Sequence, residues 1–351
     1  MRKIIVVMGI VLLLIAAFVI FYILYPAGTF KTIKPHFIGT QSTLTLPVPG
    51  PEDILIDRDS NQLLISADDR RANLLNPGSV RGALYVYDLI THRLTELDTR
   101  GIVDFHPHGI SMWKNDSGKR FLFVINHLSA EESAIERFEW TNDSLVHLES
   151  ISDSNAMTHP NDLAAVNERQ FYVTNDHYYT KGLQRKLEEY LQRKISFVNY
   201  YDGTHFRVVA ENIGYANGIN ASQDRNTIFV SSTTGLSVLV YERSNDGSLD
   251  NIDEIHIGTG PDNIDIDREG NLFIACHPQL LKFVAHAKDP KNVSPSQVIK
   301  IQYQSVGEYS VEEVFLNDGE YSGSSTAISH NTSLIIGSVF EQSILMCTLE
   351  K

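Results

Sequence analysis

After one long apolar run at its start, the chain consists of short runs in which apolar and polar residues alternate. Six segments repeat one plan: polar residues, one or more apolar residues, a turn containing Asp, Asn or Gly, and a second apolar run. This alternation is typical of half-buried strands, and such turns are typical of hairpins. The six segments begin at Glu52, His108, Asn161, Asn217, Asp262 and Ser325.

The segments begin 45 to 63 residues apart, which is too long for one hairpin and suits a four-stranded propeller blade. A β-sandwich would not repeat its turn six times, and solenoids of such a period are usually helical. The pattern therefore predicts an all-β fold, a six-bladed β-propeller over residues 29–351.

The apolar run at the start extends from Ile4 to Tyr25 without a charged residue. A helix of that length spans a hydrocarbon core of about 30 Å, whereas a cleavable signal peptide has an apolar core of about 7–15 residues. We therefore expect residues 1–28 to form an uncleaved transmembrane signal anchor. Arg2 and Lys3 would hold the short tail in the cytoplasm, so the propeller would be exported to a periplasmic, extracellular or lumenal space.

Residues 180–197 break the strand pattern, because Leu183, Leu187 and Leu191 recur at helical spacing. Five basic residues outnumber two acidic residues within this segment. Two compatible interpretations stay open. The segment is an inserted amphipathic helix packed over one end of the propeller, or a basic amphipathic helix that lies on an anionic membrane surface.

The composition excludes several functions. A net charge of −14 argues against nucleic-acid binding, which depends on Lys and Arg replacing counterions around phosphates. Cys276 and Cys347 are the only cysteines, which is sparse for a disulfide-dependent secreted protein. The chain contains no G-x-S-x-G, H-E-x-x-H or G-x-x-x-x-G-K-[ST] motif, so a serine-hydrolase elbow, a zinc-peptidase helix and a phosphate-binding loop are not indicated.

Polar residues recur at the first two positions of the repeated segments. The first position holds Glu52, His108, Asn161, Asn217, Asp262 and Ser325, and the second holds Asp53, Gly109, Asp162, Gly218, Asn263 and Thr326. In a propeller, equivalent positions of the innermost strands converge on the central channel. So many carboxylates and amides would be costly to bury without a ligand.

Oxygen donors dominate this set, so calcium fits it better than zinc or copper. We expect one calcium ion to be bound by five side chains that carry two negative charges: Glu52, Asn161, Asn217, Asp262 and Asn263. Asp53 and Asp162 lie one residue further along and would point to the opposite faces of their strands. There they could bind a second calcium ion deeper in the channel.

Eight motifs, in their order and spacing, make the chain resemble the paraoxonase/arylesterase family of calcium-dependent six-bladed propellers. They are PEDILI (51–56), HPHGIS (106–111), VINH (124–127), PNDLAAV (160–166), TNDHYY (174–179), YANGIN (215–220), DNIDID (262–267) and CHP (276–278). The resemblance implies a carboxylic-ester hydrolase that acts on small lactones and aryl esters. It also implies two calcium ions, one catalytic and one structural, and a helix over the active-site end that matches residues 180–197.

Carried over by position, the resemblance implies that the five residues above bind the catalytic ion. The structural ion would be bound by Asp53, Asp162 and the backbone carbonyl of Ile110. His108 and His127 would form the family's histidine dyad, in which His108 activates water as a general base and His127 orients it.

Alternatives to this mechanism and function stay open. A carboxylate, Asp262 or Glu52, would be the base or nucleophile if His108 is not. The rival functions are a sugar-lactone hydrolase of the gluconolactonase type and a non-catalytic, membrane-tethered binding propeller with structural calcium. The chain also departs from the family in its charged segment 68–71 and in lacking a cysteine near the N-terminus to pair with Cys347.

Overall fold

The structure is a computed structural model that describes residues 2–76, 78–129, 132–141 and 144–349. Its α-helices lie at the N-terminus and in loops between strands: α1 (Arg2–Phe18), α2 (Arg70–Leu75), α3 (Gly182–Tyr190) and α4 (Leu280–Lys288). A π-helical segment, Val19–Leu24, continues α1.

Strands form the rest of the regular structure in the described residues. In chain order they are β1 (Gly39–Thr45), β2 (Pro51–Asp57), β3 (Gln62–Ala67), β4 (Ala83–Asp88), β5 (Leu94–Glu96), β6 (Pro107–Lys114), β7 (Arg120–His127), β8 (Ser133–Thr141), β9 (Ser144–Ile151), β10 (Pro160–Ala165), β11 (Phe171–Asn175), β12 (Ser196–Tyr201), β13 (Phe206–Ile213), β14 (Ala216–Ala221), β15 (Thr227–Ser232), β16 (Ser237–Arg243), β17 (Leu249–His256), β18 (Gly260–Ile266), β19 (Leu272–His277), β20 (Gln297–Ser305), β21 (Glu308–Leu316), β22 (Ser324–His330), β23 (Ser333–Ser338) and β24 (Ser343–Leu349).

The strands form six four-stranded antiparallel sheets, so the predicted six-bladed β-propeller is confirmed. Blades one to five are the consecutive groups β2–β5, β6–β9, β10–β13, β14–β17 and β18–β21, and blade six combines β22–β24 with β1. The innermost strands are β2, β6, β10, β14, β18 and β22, and each contacts its neighbours around the ring. Every repeated segment predicted from the sequence begins on one of these six strands.

Strand β1 closes the ring by pairing with β24, from Gly39 opposite Leu349 to Thr45 opposite Ser343. Cys347 lies on β24 as a buried free thiol, and Cys276 is also free and buried. Closure therefore depends on strand hydrogen bonds and packing. Each pair of adjacent blades also encloses its own cluster of buried apolar side chains.

Each innermost strand contains a β-bulge near the end where the repeated polar residues lie. The pairing with the second strand of the blade shifts after Pro51, Pro107, Pro160, Ala216, Pro261 and Ser324. In a bulge, two residues of one strand oppose a single residue of the other, so the strict alternation of faces is lost. Asn263, the second-position residue that was grouped with the first-position residues from the sequence, donates from its amide to the Glu52 carboxylate.

The N-terminal helical stretch Lys3–Leu24 is long and apolar enough to cross a membrane, and none of it is buried against the propeller. The chain after it packs against the loop that follows β19. The carbonyl of Ala27 accepts from the amide of Leu280 at 2.9 Å, and the Gln279 side chain donates to the carbonyl of Lys31 at 2.9 Å. The N-terminal helical stretch is thus joined to the propeller at the loop after the CHP motif.

Helix α3 is shorter than the segment predicted from the sequence, because strand β12 begins at Ser196. The helix ends where Gln192 adopts a left-handed backbone with φ of 49° and the Arg193 amide donates back to the carbonyl of Glu188. The Glu188 side chain faces inward and its carboxylate accepts from the amides of Tyr178 and Tyr179. The leucine stripe that predicted the helix is instead exposed.

Candidate metal and catalytic site

The bulges bring the repeated polar residues together at one end of the channel. Glu52, Asn161, Asn217, Asp262 and Asn263 are all buried. The Nδ2 atom of Asn263 lies 3.1 Å from Oε1 of Glu52, so blades five and one meet directly. The Ser325 hydroxyl donates to the backbone carbonyl of Glu52, which joins blade six to the same group.

Glycine at the second position lets neighbouring innermost strands approach closely. A Cβ on Gly109 would lie 2.6 Å from the carbonyl oxygen of Asn161 and from Cα of Asp162. A Cβ on Gly218 would lie 2.5 Å from Cα of Asn263. Blades two and four therefore contribute close packing at this position, where blades one, three and five contribute carboxylates or amides.

The three amides share one arrangement, in which an acceptor holds the nitrogen while the oxygen has no partner. The Nδ2 atom of Asn161 donates to Asp176, that of Asn217 donates to Thr233, and that of Asn263 donates to Glu52. Their Oδ1 atoms are buried without a hydrogen bond, and so is Oε2 of Glu52. Buried polar atoms are nearly always paired in folded proteins, so four oxygens without hydrogen bonds in one ring indicate a binding site for a cation or ordered water.

The two ring carboxyls are in different electrostatic environments. Burial opposes ionisation of Glu52, but His108, Arg70 and Asn263 together lower its pKa below the usual range. Burial raises the pKa of Asp262, although Nε2 of His277 lies 2.9 Å from its Oδ2 atom and partly offsets this. A bound cation would compensate the remaining cost of ionising Asp262.

Asp53 and Asp162 each connect their own blade to the next one. Oδ2 of Asp53 accepts from the amide of Ile110 at 2.7 Å, and Oδ2 of Asp162 accepts from the amide of Ile219 at 2.8 Å. Burial, and then the neighbouring Glu52, raise the pKa of Asp53 well above its usual range. Burial and then Asp53 do the same for Asp162. Two such carboxyls in one channel are stable either when they are protonated or when they bind a cation.

The predicted histidine dyad is close-packed. Nδ1 of His108 lies 2.8 Å from Nε2 of His127, and Nδ1 of His127 lies 3.0 Å from Oγ of Ser133. Burial, and then His108, lower the pKa of His127 well below its usual range, so His127 is neutral. If His127 donates from Nδ1 to Ser133, its Nε2 accepts from His108. Nε2 of His108, 3.4 Å from Oε2 of Glu52, then has a free lone pair facing the ring.

Several residues around the ring were given no role by the sequence reasoning. His277, Asp176 and Thr233 follow or end the second strands of their blades and hold first-position side chains. Arg70, which lies in the charged segment noted above, places a guanidinium nitrogen 3.7 Å from Oε2 of Glu52. His277 and Asp176 lie within the quoted motifs CHP and TNDHYY, which was the available signal, whereas Thr233 lies in none.

Asp176 is buried and also lies at the centre of a cluster with two histidines, of which His159 is half-buried. Its Oδ1 atom lies 2.5 Å from Nδ1 of His177 and 2.7 Å from Nδ1 of His159. Burial opposes ionisation of Asp176, but these two histidines hold its pKa well below the usual range. The cluster adjoins the dyad, because the rings of His127 and His159 are 6.0 Å apart.

Comparisons with known proteins identify a family from the sequence and a shared fold from the structure. The arylesterase family model matches residues 74–349. The chain is 32% identical over 276 residues to rat serum paraoxonase/arylesterase 2, covering 76% of this chain and 77% of that protein. It is 34% identical over 252 residues to human serum paraoxonase/arylesterase 1, covering 71% and 70%. A solved structure described as a putative gluconolactonase shares the fold, with a TM-score of 0.54, 14% identity and coverage of 91% and 100%.

Proposed function

Because the chain belongs to the arylesterase family of paraoxonases, we propose that it is a calcium-dependent carboxylic-ester hydrolase whose reaction takes place at the ring described above. Hydrolysis of esters or lactones is the activity that these relatives support. The observation that carries the proposed site is the set of four buried side-chain oxygens without hydrogen-bond partners.

These oxygens fit calcium better than other common cations. Calcium takes 6–8 oxygen ligands from carboxylates, amides, carbonyls and water. In this proposal the catalytic ion is bound by Glu52, Asn161, Asn217, Asp262 and Asn263. When bound, it supplies a Lewis acid that polarises the substrate carbonyl and stabilises the oxyanion. The two carboxylates match its charge. The amide oxygens provide neutral ligands, because the amide nitrogens are held by other groups.

His108 is the proposed general base. Its free Nε2 lone pair faces the ring, where it can take a proton from a water molecule that attacks the carbonyl. His127 holds the tautomer of His108 through the 2.8 Å contact and is itself held by Ser133. Protonated His108 would then return the proton to the leaving alcohol. Glu52 and Asp262 remain the alternative bases if His108 proves dispensable.

A second, structural calcium ion is proposed deeper in the channel, between Asp53, Asp162 and the backbone carbonyl of Ile110. The raised pKa values of the two carboxyls support this, since two buried carboxylates in one channel are stable together only with a compensating positive charge.

We further propose that the anchor places the propeller on the exported side of a membrane. The exposed side chains Leu183, Leu187, Tyr190 and Leu191, in and just after α3, support contact between this helix and the lipid surface. The substrate in this proposal is a small lactone or aryl ester, and lipophilic lactones fit this location best.

Two other functions remain in competition. A sugar-lactone hydrolase shares the fold, as the gluconolactonase structure does, but the sequence relatives are paraoxonases. A non-catalytic binding propeller would retain calcium without needing a histidine that faces the ring.

The test is hydrolysis of phenyl acetate, γ- and δ-lactones and a sugar lactone by the full chain in detergent. Each substrate is assayed with calcium and after chelation, with thermal unfolding followed in parallel. Calcium-dependent turnover of phenyl acetate and lactones is the expected result. Turnover of the sugar lactone alone would favour the gluconolactonase alternative. A calcium-stabilised fold without turnover would favour the binding propeller.

A further inference from the structure

Asn161 can serve as a cation ligand only if its amide is held in one orientation. An asparagine side chain has an oxygen acceptor and a nitrogen donor of nearly equal shape, so a flip exchanges them at little steric cost. Asn161 donates from Nδ2 to Oδ2 of Asp176 at 3.2 Å, and its Oδ1 is buried without a partner. The group that receives Nδ2 therefore decides which atom faces the ring.

Asp176 is suited to this role because nitrogen atoms of other residues face both of its carboxylate oxygens. Oδ1 faces Nδ1 of His177 and Nδ1 of His159, at 2.5 and 2.7 Å. Oδ2 faces the Asn161 amide. An asparagine at position 176 would turn its oxygen toward the histidines and its nitrogen toward Asn161. Two donors would then face each other, and Asn161 would have to flip.

Thr233 acts on Asn217 in the same way. Its hydroxyl donates to the backbone carbonyl of Pro261 at 2.7 Å, so its lone pair is left to accept Nδ2 of Asn217 at 3.2 Å. We propose that Asp176 and Thr233 are positioning residues that orient the amides of Asn161 and Asn217 with their oxygens toward the proposed calcium ion. This inference rests on the proposed function only in requiring that the ring binds a cation.

A different role for Asp176 follows from its surroundings. Two histidines and one aspartate are a typical set of ligands for a transition metal. The ligand atoms of His159, Asp176 and His177 lie within 4.8 Å of one another. The 2.5 Å contact between His177 and Asp176 is instead a charge-assisted hydrogen bond, and the second oxygen of Asp176 already accepts from Asn161. Zinc binding by these three residues is the competing interpretation, and the test includes it.

The test compares the full chain in detergent with Asp176→Asn, Asn161→Asp and the double variant Asp176→Asn/Asn161→Asp. Calcium affinity is measured by titration, and the number of waters on bound Tb³⁺ is measured from luminescence lifetimes in H₂O and D₂O. We expect Asp176→Asn to weaken calcium binding about 10–100-fold, the usual effect of removing a residue that supports a metal ligand. Bound Tb³⁺ should gain about one water, because one protein ligand is lost.

The double variant distinguishes positioning from general damage. The carboxylate introduced at position 161 accepts from the amide nitrogen introduced at position 176 with one oxygen and presents the other oxygen to the ion. Affinity and water count should therefore return toward the wild-type values. Unchanged affinity in Asp176→Asn, or a double variant no better than it, would overturn the inference. So would one equivalent of Zn²⁺ bound by the wild type and lost in His159→Ala.

If Asp176→Asn does not fold, Thr233→Val and Thr233→Ser provide a matched pair. Serine keeps the accepting hydroxyl and valine keeps the shape, so only valine should weaken calcium binding. Equal affinities of the two variants would overturn the inference. A wild type that binds neither Ca²⁺ nor Tb³⁺ would overturn the proposed metal site as well, whereas a wild type that binds both separates the two questions.

Discussion

Nδ1 of His108 and Nε2 of His127 lie 2.8 Å apart, and their rings are tilted by 56° with centroids 5.0 Å apart. The separation is that of a hydrogen bond between two imidazoles, and it links a residue at the ring to one on the next strand of the same blade. In the proposed mechanism, the pair therefore connects the general base on blade two with the carboxylate and amide oxygens on the other blades.

Replacing His108 by Gln is expected to lower lactone turnover about 10²–10⁴-fold, the usual contribution of a general base. His127→Gln removes only the group that orients His108, so it should lower lactone turnover less, about 10–100-fold. Both variants should keep the wild-type calcium affinity, and Ser133→Ala serves as a mild control. Steady-state kinetics with calcium titrations check this. Wild-type turnover in His108→Gln would move the base to a carboxylate.

Chelation is expected to reverse the effect of pH on stability. Asp53 and Asp162 have folded-state pKa values raised by burial and by a neighbouring carboxylate, so without metal they take up protons on folding. Their contribution to the free energy of unfolding therefore decreases as pH rises from about 4 through the raised values. With calcium, the ion competes with these protons, so stability should rise with pH over the same window.

Thermal unfolding in a chelator and in calcium, at about pH 5.5 and about pH 7.5, measures both slopes. Asp162→Asn should flatten the slope of the metal-free protein, because one of the two raised carboxyls is gone. A metal-free protein that becomes more stable as the pH rises between these values would contradict the prediction.

Gly109→Ala is expected to destabilise the propeller by about 1–3 kcal/mol, the usual cost of forcing a methyl group into a packed interior. The new Cβ would meet backbone atoms of Asn161 and Asp162 at 2.6 Å, and backbone cannot yield as a side-chain end can. Gly101→Ala is the matched control, since a Cβ there has no neighbour within 4 Å. Differential scanning calorimetry in calcium compares the two, and equal unfolding temperatures would disprove the close approach.

Removal of residues 1–24 should leave the unfolding temperature of the propeller unchanged, whereas removal of residues 1–36 should lower it. The longer truncation deletes Ala27 and Lys31, whose carbonyls accept from Leu280 and Gln279 beside the CHP motif. Thermal unfolding of both truncated chains in calcium tests this. If both unfold at the same temperature, the packing of residues 25–36 against the loop after β19 contributes nothing to stability.

The blade count and the ring of polar residues were predictable, because each blade repeats one turn and one strand register along the chain. The bulges were not, since a bulge depends on how two strands pair rather than on either strand alone. The predicted helical segment extends to Phe197, whereas α3 ends earlier because the left-handed backbone of Gln192 stops the helix. The role of Thr233, which accepts a hydrogen bond from Asn217, was not predicted because Thr233 lies in none of the motifs.

The pairing of β1 with β24 has a consequence for how the protein is made. If the N-terminus leads export, β1 emerges before any blade exists and must wait for some of the last residues of the chain. Contacts so distant in sequence form late and slowly. The hydrogen bonds to Glu52 from Asn263 of blade five and from Ser325 of blade six also join late blades to the first one. A partly translocated chain would therefore have at most five complete blades and an open ring, so we expect hydrolytic activity to appear only when synthesis is finished.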